Sequence, residues 1–300
     1  MDARSIAEEI ARRSRGGVHR PGPSPTAPYT IGVTGAPGSG KSTLTNALVR
    51  LLRADNERVA VLAVDPTSPY SGGAILGDRV RMGDHALDEG VFVRSMATRG
   101  HLGGLAVATP EAVRVLGAVG YRWVLLETVG VGQVEVEVAG HSDTTLVVVT
   151  PGWGDAVQAA KAGLMEIADV FVVNKADRPG AIETQRDLER MLDMGSATRR
   201  WRPPVVATTA TSDEGVDDVC AAVTDHRRHL EETGGLAERR RNRARDEIAR
   251  LVAARFAERS RAVTSVQQAA KLAEAVAGGE TDPWSAADEL LTPVLGPDLT

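Results

Sequence analysis

A glycine-rich segment near the start of this 300-residue chain contains the residues with the clearest chemistry. Its spacing is G-x-x-x-x-G-K-[ST], which is met in full by Gly35, Gly40, Lys41 and Ser42. Glycines let backbone N–H groups point at phosphate oxygens, and a helix that begins near the lysine directs the positive end of its dipole there. The lysine can reach the β- and γ-phosphates, and the serine hydroxyl can bind Mg²⁺. The segment therefore predicts a site for a nucleoside triphosphate, formed by Gly35, Ala36, Pro37, Gly38, Ser39, Gly40, Lys41, Ser42 and Thr43.

A second motif, N-K-x-D, lies at Asn174, Lys175 and Asp177, directly after the apolar run DVFVV. The Asp177 carboxylate can accept the N1–H and 2-amino hydrogens of guanine, a pairing that adenine cannot offer. Asn174 can tie the base-binding loop to the phosphate loop, and the Lys175 stem can lie along the base. The segment Thr208–Thr209–Ala210 follows the last predicted strand, where a loop that supports the base should lie, and Thr209 and Ala210 are its candidate site residues. The motif predicts that the ligand is GTP or GDP.

Three acidic residues fall at or near strand ends: Asp65 after VAVLAV, Asp78 within GDR, and Glu127 after WVLL. Mg²⁺ takes oxygen ligands and keeps several waters, so two or three carboxylates beside a serine and the phosphates suit it. We therefore expect a Mg²⁺ site made of Ser42, Asp65, Asp78 and Glu127. We also expect slow GTP hydrolysis, in which Lys41 stabilises charge on the transferred phosphoryl group and Glu127 is the leading candidate to orient the attacking water.

A glycine-rich stretch follows Glu127 and includes Gly130, Gly132 and Gln133. Glycines there permit close approach to a γ-phosphate and large backbone changes, so these residues are candidates for a nucleotide-sensitive switch. Gln133 either orients the attacking water or makes an ordinary loop hydrogen bond, and the sequence leaves both roles open.

Short apolar runs accompany these motifs, at residues 30–34, 59–64, 91–94, 123–127, 144–150, 170–174 and 204–208. They are nearly all apolar rather than alternating, which is typical of parallel strands covered on both faces. Helix-compatible segments separate most of them. The pattern predicts an α/β domain with a doubly wound, mostly parallel sheet of about seven strands, whose carboxyl ends carry the motifs above.

The chain is expected to have three parts. Residues 1–28 should form a short helix and a proline-rich linker, and residues 29–223 the nucleotide-binding domain. Residues 224–300 should form a helical extension and a tail, and this part carries the basic run RRRNRAR at 239–245. Acidic neighbours and scarce aromatic residues favour a solvated helix face or a dimer contact for that run over a nucleic-acid patch.

Composition restricts the expected location of the protein and the classes of partner that it could bind. The formal net charge is −5, which does not suggest a general nucleic-acid binder. The single cysteine, Cys220, excludes an internal disulfide and fits a reducing cytosol. Because no apolar run approaches the roughly 20 residues that span a bilayer, we expect a cytoplasmic protein without membrane or nucleic-acid partners.

Six segments together resemble one known family: GAPGSGKST (35–43), VDPTSPYSGGAILGDRVRM (64–82), RGHLGG (99–104), ETVGVGQVE (127–135), PGWGDAVQAAKAG (151–163) and NKAD (174–177). They are similar to the methylmalonyl-CoA mutase-associated GTPases of the MeaB/ArgK type, formerly labelled LAO/AO transport ATPases. The resemblance implies a SIMIBI-like phosphate-loop G domain that binds GTP or GDP with Mg²⁺. It also implies that Asp65, Asp78 and Glu127 correspond to the family's Mg²⁺-sphere and catalytic acids.

The same resemblance implies a partner. Members of the family are homodimers that chaperone adenosylcobalamin-dependent methylmalonyl-CoA mutase, gate the loading of its cofactor, and protect or reactivate it. A related acyl-CoA mutase would use the same machinery. Residues 152–161 match the family's mobile segment that signals nucleotide state to the mutase, with Asp155, Gln158 and Lys161 as its polar members. The family's helical C-terminal arm builds the dimer, and residues 224–277 occupy the matching place.

Two other functions are open to a chain of this architecture. A metal-insertion chaperone of the nickel type needs soft or imidazole ligands, and His226 and His229 have the i, i+3 spacing that could supply them. A solvated helix face is the favoured interpretation of that pair. An ATPase or kinase that serves amino-acid transport is disfavoured by the guanine-type NKAD motif.

Overall fold

The computed structural model describes residues 2–14, 27–66, 85, 87–98, 104–128, 134–152, 161–194, 200–263 and 266–295. Its strands are β1 (Tyr29–Gly35), β2 (Val59–Pro66), β3 (Val91–Thr98), β4 (Trp123–Thr128), β5 (Thr144–Val149), β6 (Val170–Asn174) and β7 (Val205–Thr208). Its helices are α1 (Ala3–Ser14), α2 (Lys41–Ala54), α3 (Gly104–Ala118), α4 (Val134–His141), α5 (Lys161–Ile167), α6 (Ala181–Met194), α7 (Val216–Glu232), α8 (Gly235–Val263), α9 (Val266–Ala277) and α10 (Pro283–Leu295).

The strands form one seven-stranded sheet in the order β3-β2-β4-β1-β5-β6-β7, and every adjacent pair is parallel. Strands β1, β5 and β6 are buried along their whole length, as expected for continuously apolar runs covered on both faces. The predicted doubly wound α/β fold is confirmed. The chain leaves β1 for β2 on one side and later places β5 on the other, so the sheet reverses its winding at β1. Ligands of such sheets bind beyond the carboxyl ends of the strands at this reversal, which is where β1 ends at Gly35.

Helices cover both faces of the sheet. On one face, α2 and α7 bury side chains such as Leu48 and Val219 against alternate residues of the strands, including Val33. On the other face, α1 and α3 bury Ile6 and Leu116 against β2 and β4. The amphipathic N-terminal helix is therefore part of this core, whereas the predicted linker after it lies outside the described residues up to position 26.

The chain divides into two compact units, Met1–Arg243 and Ala244–Thr300. The predicted boundary after residue 223 falls within α7, whose Val219 and Val223 are buried in the core of the first unit. The second unit contains the remainder of α8 together with α9 and α10. The assignment of this tail as a dimerisation arm stays a prediction. No helix in the described part of the chain is long and apolar enough to cross a membrane.

The basic run on α8 contacts the edge of the sheet where the strands begin, which is opposite the edge that carries the nucleotide motifs. Arg239 holds the Asp169 carboxylate with two hydrogen bonds of 2.8 and 2.9 Å. Arg240 donates to Asp143 at 2.7 Å, and Arg243 donates to the same carboxylate. The two aspartates immediately precede β6 and β5. We call these five residues the arginine clamp. The interpretation of a solvated helix face is wrong for these three arginines, because the two aspartates that pair with them are buried, whereas a dimer contact stays a prediction.

The Asp143 carboxylate stays ionised although it is buried. Burial alone would raise the pKa of Asp143, but the hydrogen bond from Arg240, the charges of Arg243 and Arg240, and the amide of Thr30 outweigh it and hold that pKa below its ordinary value of 3.8. Because the folded-state pKa is depressed, the stability that this carboxylate contributes is present above the ordinary value. It is lost only as the pH falls through the lower folded-state pKa.

Candidate functional site

The phosphate loop, residues 35–42, joins the end of β1 to the start of α2. Gly35, Gly38 and Gly40 have φ angles of 139°, 74° and 91°, which favour glycine. Gly40 is the N-cap residue of α2, and no side chain caps the helix there. The first N–H groups of α2 and the positive end of its dipole are therefore available to an anion at this loop.

The backbone of this loop lies too close to its neighbours for larger residues. A Cβ at Gly35 would lie 3.0 Å from the carbonyl carbon of Val148 on β5, and still closer to its oxygen. A Cβ at Gly40 would collide with the amide nitrogen of Asn174. Contacts this short must be relieved by moving backbone or a buried amide, so the loop conformation depends on glycine at both positions.

Lys41 and Ser39 supply polar groups inside the loop. The Lys41 side chain is 5% exposed, and its Nζ donates to the carbonyl oxygens of Gly35 at 2.8 Å and Ala36 at 2.9 Å. The Ser39 hydroxyl is buried and makes no hydrogen bond to any residue that the structure describes. A buried ammonium beside a buried hydroxyl suits a site whose ligand is rich in negatively charged oxygens.

Ser42 and Glu127 meet beside the loop. The Ser42 hydroxyl donates to Glu127 Oε1, and the Glu127 side chain is 2% exposed. Strand β4 pairs with both β1 and β2, so Glu127 lies opposite Val33 of β1 and Ala63 of β2. The backbone of Asp65, two residues after Ala63 and one before the end of β2, therefore lies at the same edge of the sheet. The side chain of Asp65 and all of Asp78 lie outside the described residues, so the pair Ser42–Glu127 is the described part of the predicted Mg²⁺ site. Two hard oxygen donors fit that ion.

The base-binding loop is joined to the phosphate loop by Asn174. Its Nδ2 donates to the carbonyl oxygen of Ser39 at 2.8 Å, and its Oδ1 accepts from the Ala210 amide and the Thr208 hydroxyl, each at 3.2 Å. Lys175, at a φ of 60°, donates from Nζ to the carbonyl oxygen of Gly38 at 2.7 Å. Three separate segments are therefore held together by the side chains of two adjacent residues.

Asp177 lies in the turn after β6 and is exposed to solvent, where a base could approach it. Thr209 and Ala210 are buried beside this turn, and the Thr209 amide donates to the carbonyl oxygen of Glu214 at 3.0 Å to close their loop. The structure thus brings the predicted phosphate-loop and base-loop residues to one edge of the sheet. Their direct contact with a nucleotide stays a prediction.

Comparison with known proteins agrees with this geometry. The sequence profile of the family described as "Methylmalonyl Co-A mutase-associated GTPase MeaB" matches residues 22–265. The chain belongs to this family.

Two of the three relatives of this MeaB-family chain described next are named as GTPases. A Pyrococcus abyssi protein named as a GTPase is 48% identical over 275 residues, which are 91% of this chain and 85% of the relative. GTPase ArgK of Escherichia coli is 40% identical over 220 residues, 71% and 66% of the two chains. The mouse methylmalonic aciduria type A homolog is 33% identical over 268 residues, 88% and 65% of the two chains. The chain is a GTPase that binds guanine nucleotides.

A solved structure shares the fold of the whole chain. The crystal structure of an LAO/AO transport system kinase aligns with a TM-score of 0.66 at 24% identity, and the alignment covers 98% of this chain and 99% of that one. At that identity the likeness concerns the fold alone.

Several predicted switch residues of this MeaB-family chain lie outside the described residues. These are Gly130, Gly132, Gln133, Asp155 and Gln158. Lys161 is the first residue of α5, and its side chain is outside the described part as well. The described chain resumes at Val134, where α4 begins, and their assignment as switch residues stays a prediction.

Thr208 opens the predicted base-supporting segment, and the structure gives it a contact with Asn174 that the motif did not predict. It pairs in register with Asn174 across β6 and β7, and its hydroxyl donates to the Asn174 side chain. The register of two parallel strands is set by the packed sheet rather than by a local motif. A polar residue at the end of the strand that adjoins the N-K-x-D strand is the only signal the sequence offers.

The histidine pair is not a solvated pair on one helix face. His226 is fully buried, its ring centroid lies 4.9 Å from that of Trp201, and its Nδ1 is 2.8 Å from Thr144 Oγ1. The interpretation of a solvated helix face is therefore wrong for His226. Burial lowers its pKa to about 4, so the ring is neutral at pH 7. Among the residues that the structure describes, no group of three or more His, Cys, Asp and Glu side chains could hold a metal ion.

Proposed function

We propose that this MeaB-family GTPase is a nucleotide-dependent chaperone of an adenosylcobalamin-dependent methylmalonyl-CoA mutase or a related acyl-CoA mutase. It gates the loading of the mutase cofactor and protects or reactivates the enzyme. The observation that carries this proposal is the match of residues 22–265 to a family described as mutase-associated. The mouse relative, which is named for methylmalonic aciduria, supports the same partner. A cytoplasmic location without membrane or nucleic-acid partners stays a prediction.

The proposed reaction is slow hydrolysis of GTP by electrostatic stabilisation. Lys41 and the amides of the phosphate loop bind the phosphate oxygens and stabilise negative charge as it develops on the transferred group. Glu127 orients the attacking water. Ser42, Asp65, Asp78 and Glu127 would hold Mg²⁺, and this ion would neutralise charge on the β- and γ-phosphates when bound.

The proposed output of the site is a change in the loops that follow β4 and β5. Gly130, Gly132 and Gln133 follow Glu127 closely in the chain, and Glu127 contacts the phosphate loop through Ser42. Asp155, Gln158 and Lys161 follow β5, whose Val148 lies against Gly35. Both segments therefore begin within a few residues of the predicted phosphate site, which suits a role in reporting whether a γ-phosphate is present.

A binding assay with purified methylmalonyl-CoA mutase tests this function. We expect the yield of the complex to differ at least fivefold between GDP and a non-hydrolysable GTP analogue, since allosteric coupling commonly changes affinity by about 5–150-fold. The double variant Asp155→Ala, Gln158→Ala should still bind GTP but lose that difference. Asp187→Asn, which alters an exposed residue of α6, serves as the control. A mutase that binds in neither nucleotide state, or equally in both, would contradict the proposal.

We further propose that the protein is a homodimer, and an apolar stripe on α8 supports it. Ile248, Val252 and Phe256 recur every four residues, which places them on one helix face, and they are 62%, 63% and 37% exposed. Val252→Asp should convert a particle of twice the 31.6 kDa chain mass into a monomer, because a buried unpaired carboxylate opposes association. Light scattering after gel filtration measures this mass. The matched control is Ile182→Asp on α6, also 62% exposed, which should leave the mass unchanged. A monomeric wild-type protein would refute the dimer.

A further inference from the structure

We propose that a cavity between α7 and the start of α8 is a second binding site, whose ligand is a neutral, planar heterocycle with a ring carbonyl, of the size of a nucleobase. The cavity has a volume of about 460 Å³, and ligand sites typically have roughly 300–1,000 Å³. It adjoins Asp169, which immediately precedes β6, so it lies at the edge of the sheet opposite the nucleotide motifs. The site is therefore separate from the one that binds GTP, and it does not rest on the proposed chaperone function.

The inner wall of the cavity carries a polar atom without a described partner. His226 lines the cavity, its side chain is fully buried, and its Nε2 makes no hydrogen bond to any residue that the structure describes. Asp169 Oδ1 lies 3.3 Å from Nε2, but this contact lacks the geometry of a hydrogen bond, and the same oxygen already accepts from Arg239 at 2.8 Å. Because a buried polar group without a partner is costly, His226 favours a polar ligand atom in the cavity.

The hydrogen bonds on the other side of the imidazole make Nε2 a donor. The buried Tyr29 phenol oxygen lies 2.6 Å from Thr144 Oγ1, which in turn lies 2.8 Å from His226 Nδ1. If Tyr29 donates to Thr144 and Thr144 donates to Nδ1, both hydroxyl hydrogens have acceptors, and any other arrangement leaves one without a described acceptor. Burial lowers the pKa of His226 to about 4, so the ring is neutral at pH 7 and carries its single proton on Nε2. A ring carbonyl of the ligand can accept from this N–H.

A fixed aromatic wall favours a flat ligand. Trp201 lines the cavity, and its ring centroid lies 4.9 Å from that of His226 and 5.0 Å from that of His229. The Trp201 Nε1 donates to the carbonyl oxygen of Asp169 at 2.8 Å, which holds the indole in place. The buried side chain of Leu230 adds apolar surface to the same lining. Because this wall is already ordered, a planar ring can pack against it at little cost in side-chain entropy.

The charges that line the cavity favour a neutral ligand with N–H groups. Glu166 and Glu238 are exposed, and neither forms an ion pair with a residue that the structure describes, whereas Arg200 is the exposed cation of the lining. The charge of Arg239 is compensated by Asp169 within the arginine clamp. The lining therefore has no excess positive charge that would attract a carboxylate or phosphate. A simple cation would leave the buried imidazole N–H without an acceptor, whereas a heterocycle can offer a carbonyl to that N–H and ring N–H groups to the two exposed carboxylates.

Calorimetric titration of the GDP-saturated chain with hypoxanthine tests this site. Hypoxanthine is a neutral two-ring heterocycle with a carbonyl and ring N–H groups, and saturating GDP keeps it out of the guanine site. We expect a dissociation constant below about 1 mM, which is reasonable for so small a ligand. Indole has a similar two-ring shape but no hydrogen-bond acceptor, so it should bind at least about tenfold more weakly. Benzoate, a planar anion, should bind more weakly than hypoxanthine by at least the same factor.

Two variants assign the binding to this cavity. Asn242→Trp places a large side chain at an exposed lining position of α8 and should abolish hypoxanthine binding. The matched control is Arg241→Trp, because Arg241 is the exposed neighbour and is not among the residues that line the cavity; it should bind as wild type. His226→Phe keeps a ring of similar shape but removes the donor, so it should reduce the preference for hypoxanthine over indole to less than about twofold.

The outcomes decide both the place of the site and the class of its ligand. Absence of hypoxanthine binding to the wild-type chain, or equal binding by Asn242→Trp and Arg241→Trp, overturns the site. Equal affinities for hypoxanthine and indole, or tighter binding of benzoate, overturn the ligand class, and both are measured in the wild-type chain whether or not His226→Phe folds. A chain that binds hypoxanthine in this cavity but binds no mutase upholds the site and refutes only the chaperone function.

Discussion

Replacing Lys41 with alanine is expected to lower the affinity for GTP at least about thirtyfold. The Lys41 ammonium is buried in the phosphate loop, where two backbone carbonyls of the same loop hold it. Truncating one partner of a buried, hydrogen-bonded charge pair costs about 2–5 kcal/mol, which corresponds to roughly 30- to 4,000-fold in affinity. The loss should be smaller for GDP, because the lysine then has no γ-phosphate to bind. Calorimetric titration with each nucleotide measures both effects.

The control for this experiment is Lys271→Ala, which removes an exposed lysine of α9 and should not change the affinity. Because Lys41 also satisfies the carbonyl groups of Gly35 and Ala36, the variant must be shown to be folded by its thermal transition. Omitting Mg²⁺ from the wild-type titration should also weaken GTP binding, which checks the proposed roles of Ser42 and Glu127. Undiminished GTP affinity in a folded Lys41→Ala protein would count against the whole phosphate site.

The sequence predicted those parts of the site whose residues lie close together along the chain. The phosphate loop has a fixed spacing because one strand, one turn and one helix must follow each other, so Gly35 to Ser42 could be placed from the sequence. The parallel sheet could also be predicted, since strands buried on both faces are apolar throughout, as β5 and β6 are. The tie between Asn174 and the phosphate loop was expected from the motif, and a hydrogen bond to Ser39 confirms it.

Contacts between side chains that are far apart in the chain could not be predicted from the sequence. Asp143 and Asp169 look like ordinary loop acids, and nothing near them shows that arginines 70 to 100 residues later neutralise them. The basic run therefore looked like a solvated surface, although most of its pairing is with buried carboxylates. His226 was misjudged for the same reason, because its burial follows from Trp201 and Thr144 on other elements. A charged or polar helix residue is as exposed as its neighbours in space allow, and those neighbours are set by the fold.

Asp177→Asn is expected to change which base the protein binds. A carboxylate can accept the N1–H and 2-amino hydrogens of guanine together, whereas an amide presents a donor to one of them. Xanthine carries a carbonyl oxygen where guanine has its 2-amino group, and that oxygen accepts from the amide. One hydrogen bond is misplaced for GTP and one is restored for xanthosine triphosphate, each worth about 1–3 kcal/mol, so the ratio of GTP to xanthosine triphosphate affinity should fall at least about thirtyfold.

Competition between the two nucleotides for a fluorescent guanine nucleotide analogue measures this ratio, provided the probe concentration is adjusted for each variant. The fold should be unaffected, because Asp177 is exposed and lies in a turn, whereas Asn174 and Lys175 make the contacts that hold the loop. Asp187→Asn makes the same chemical change at an exposed position of α6 and should leave the preference for GTP intact. If Asp177→Asn also keeps that preference, the base is read by another group, and the exposed carboxylate at the end of β6 has no part in specificity.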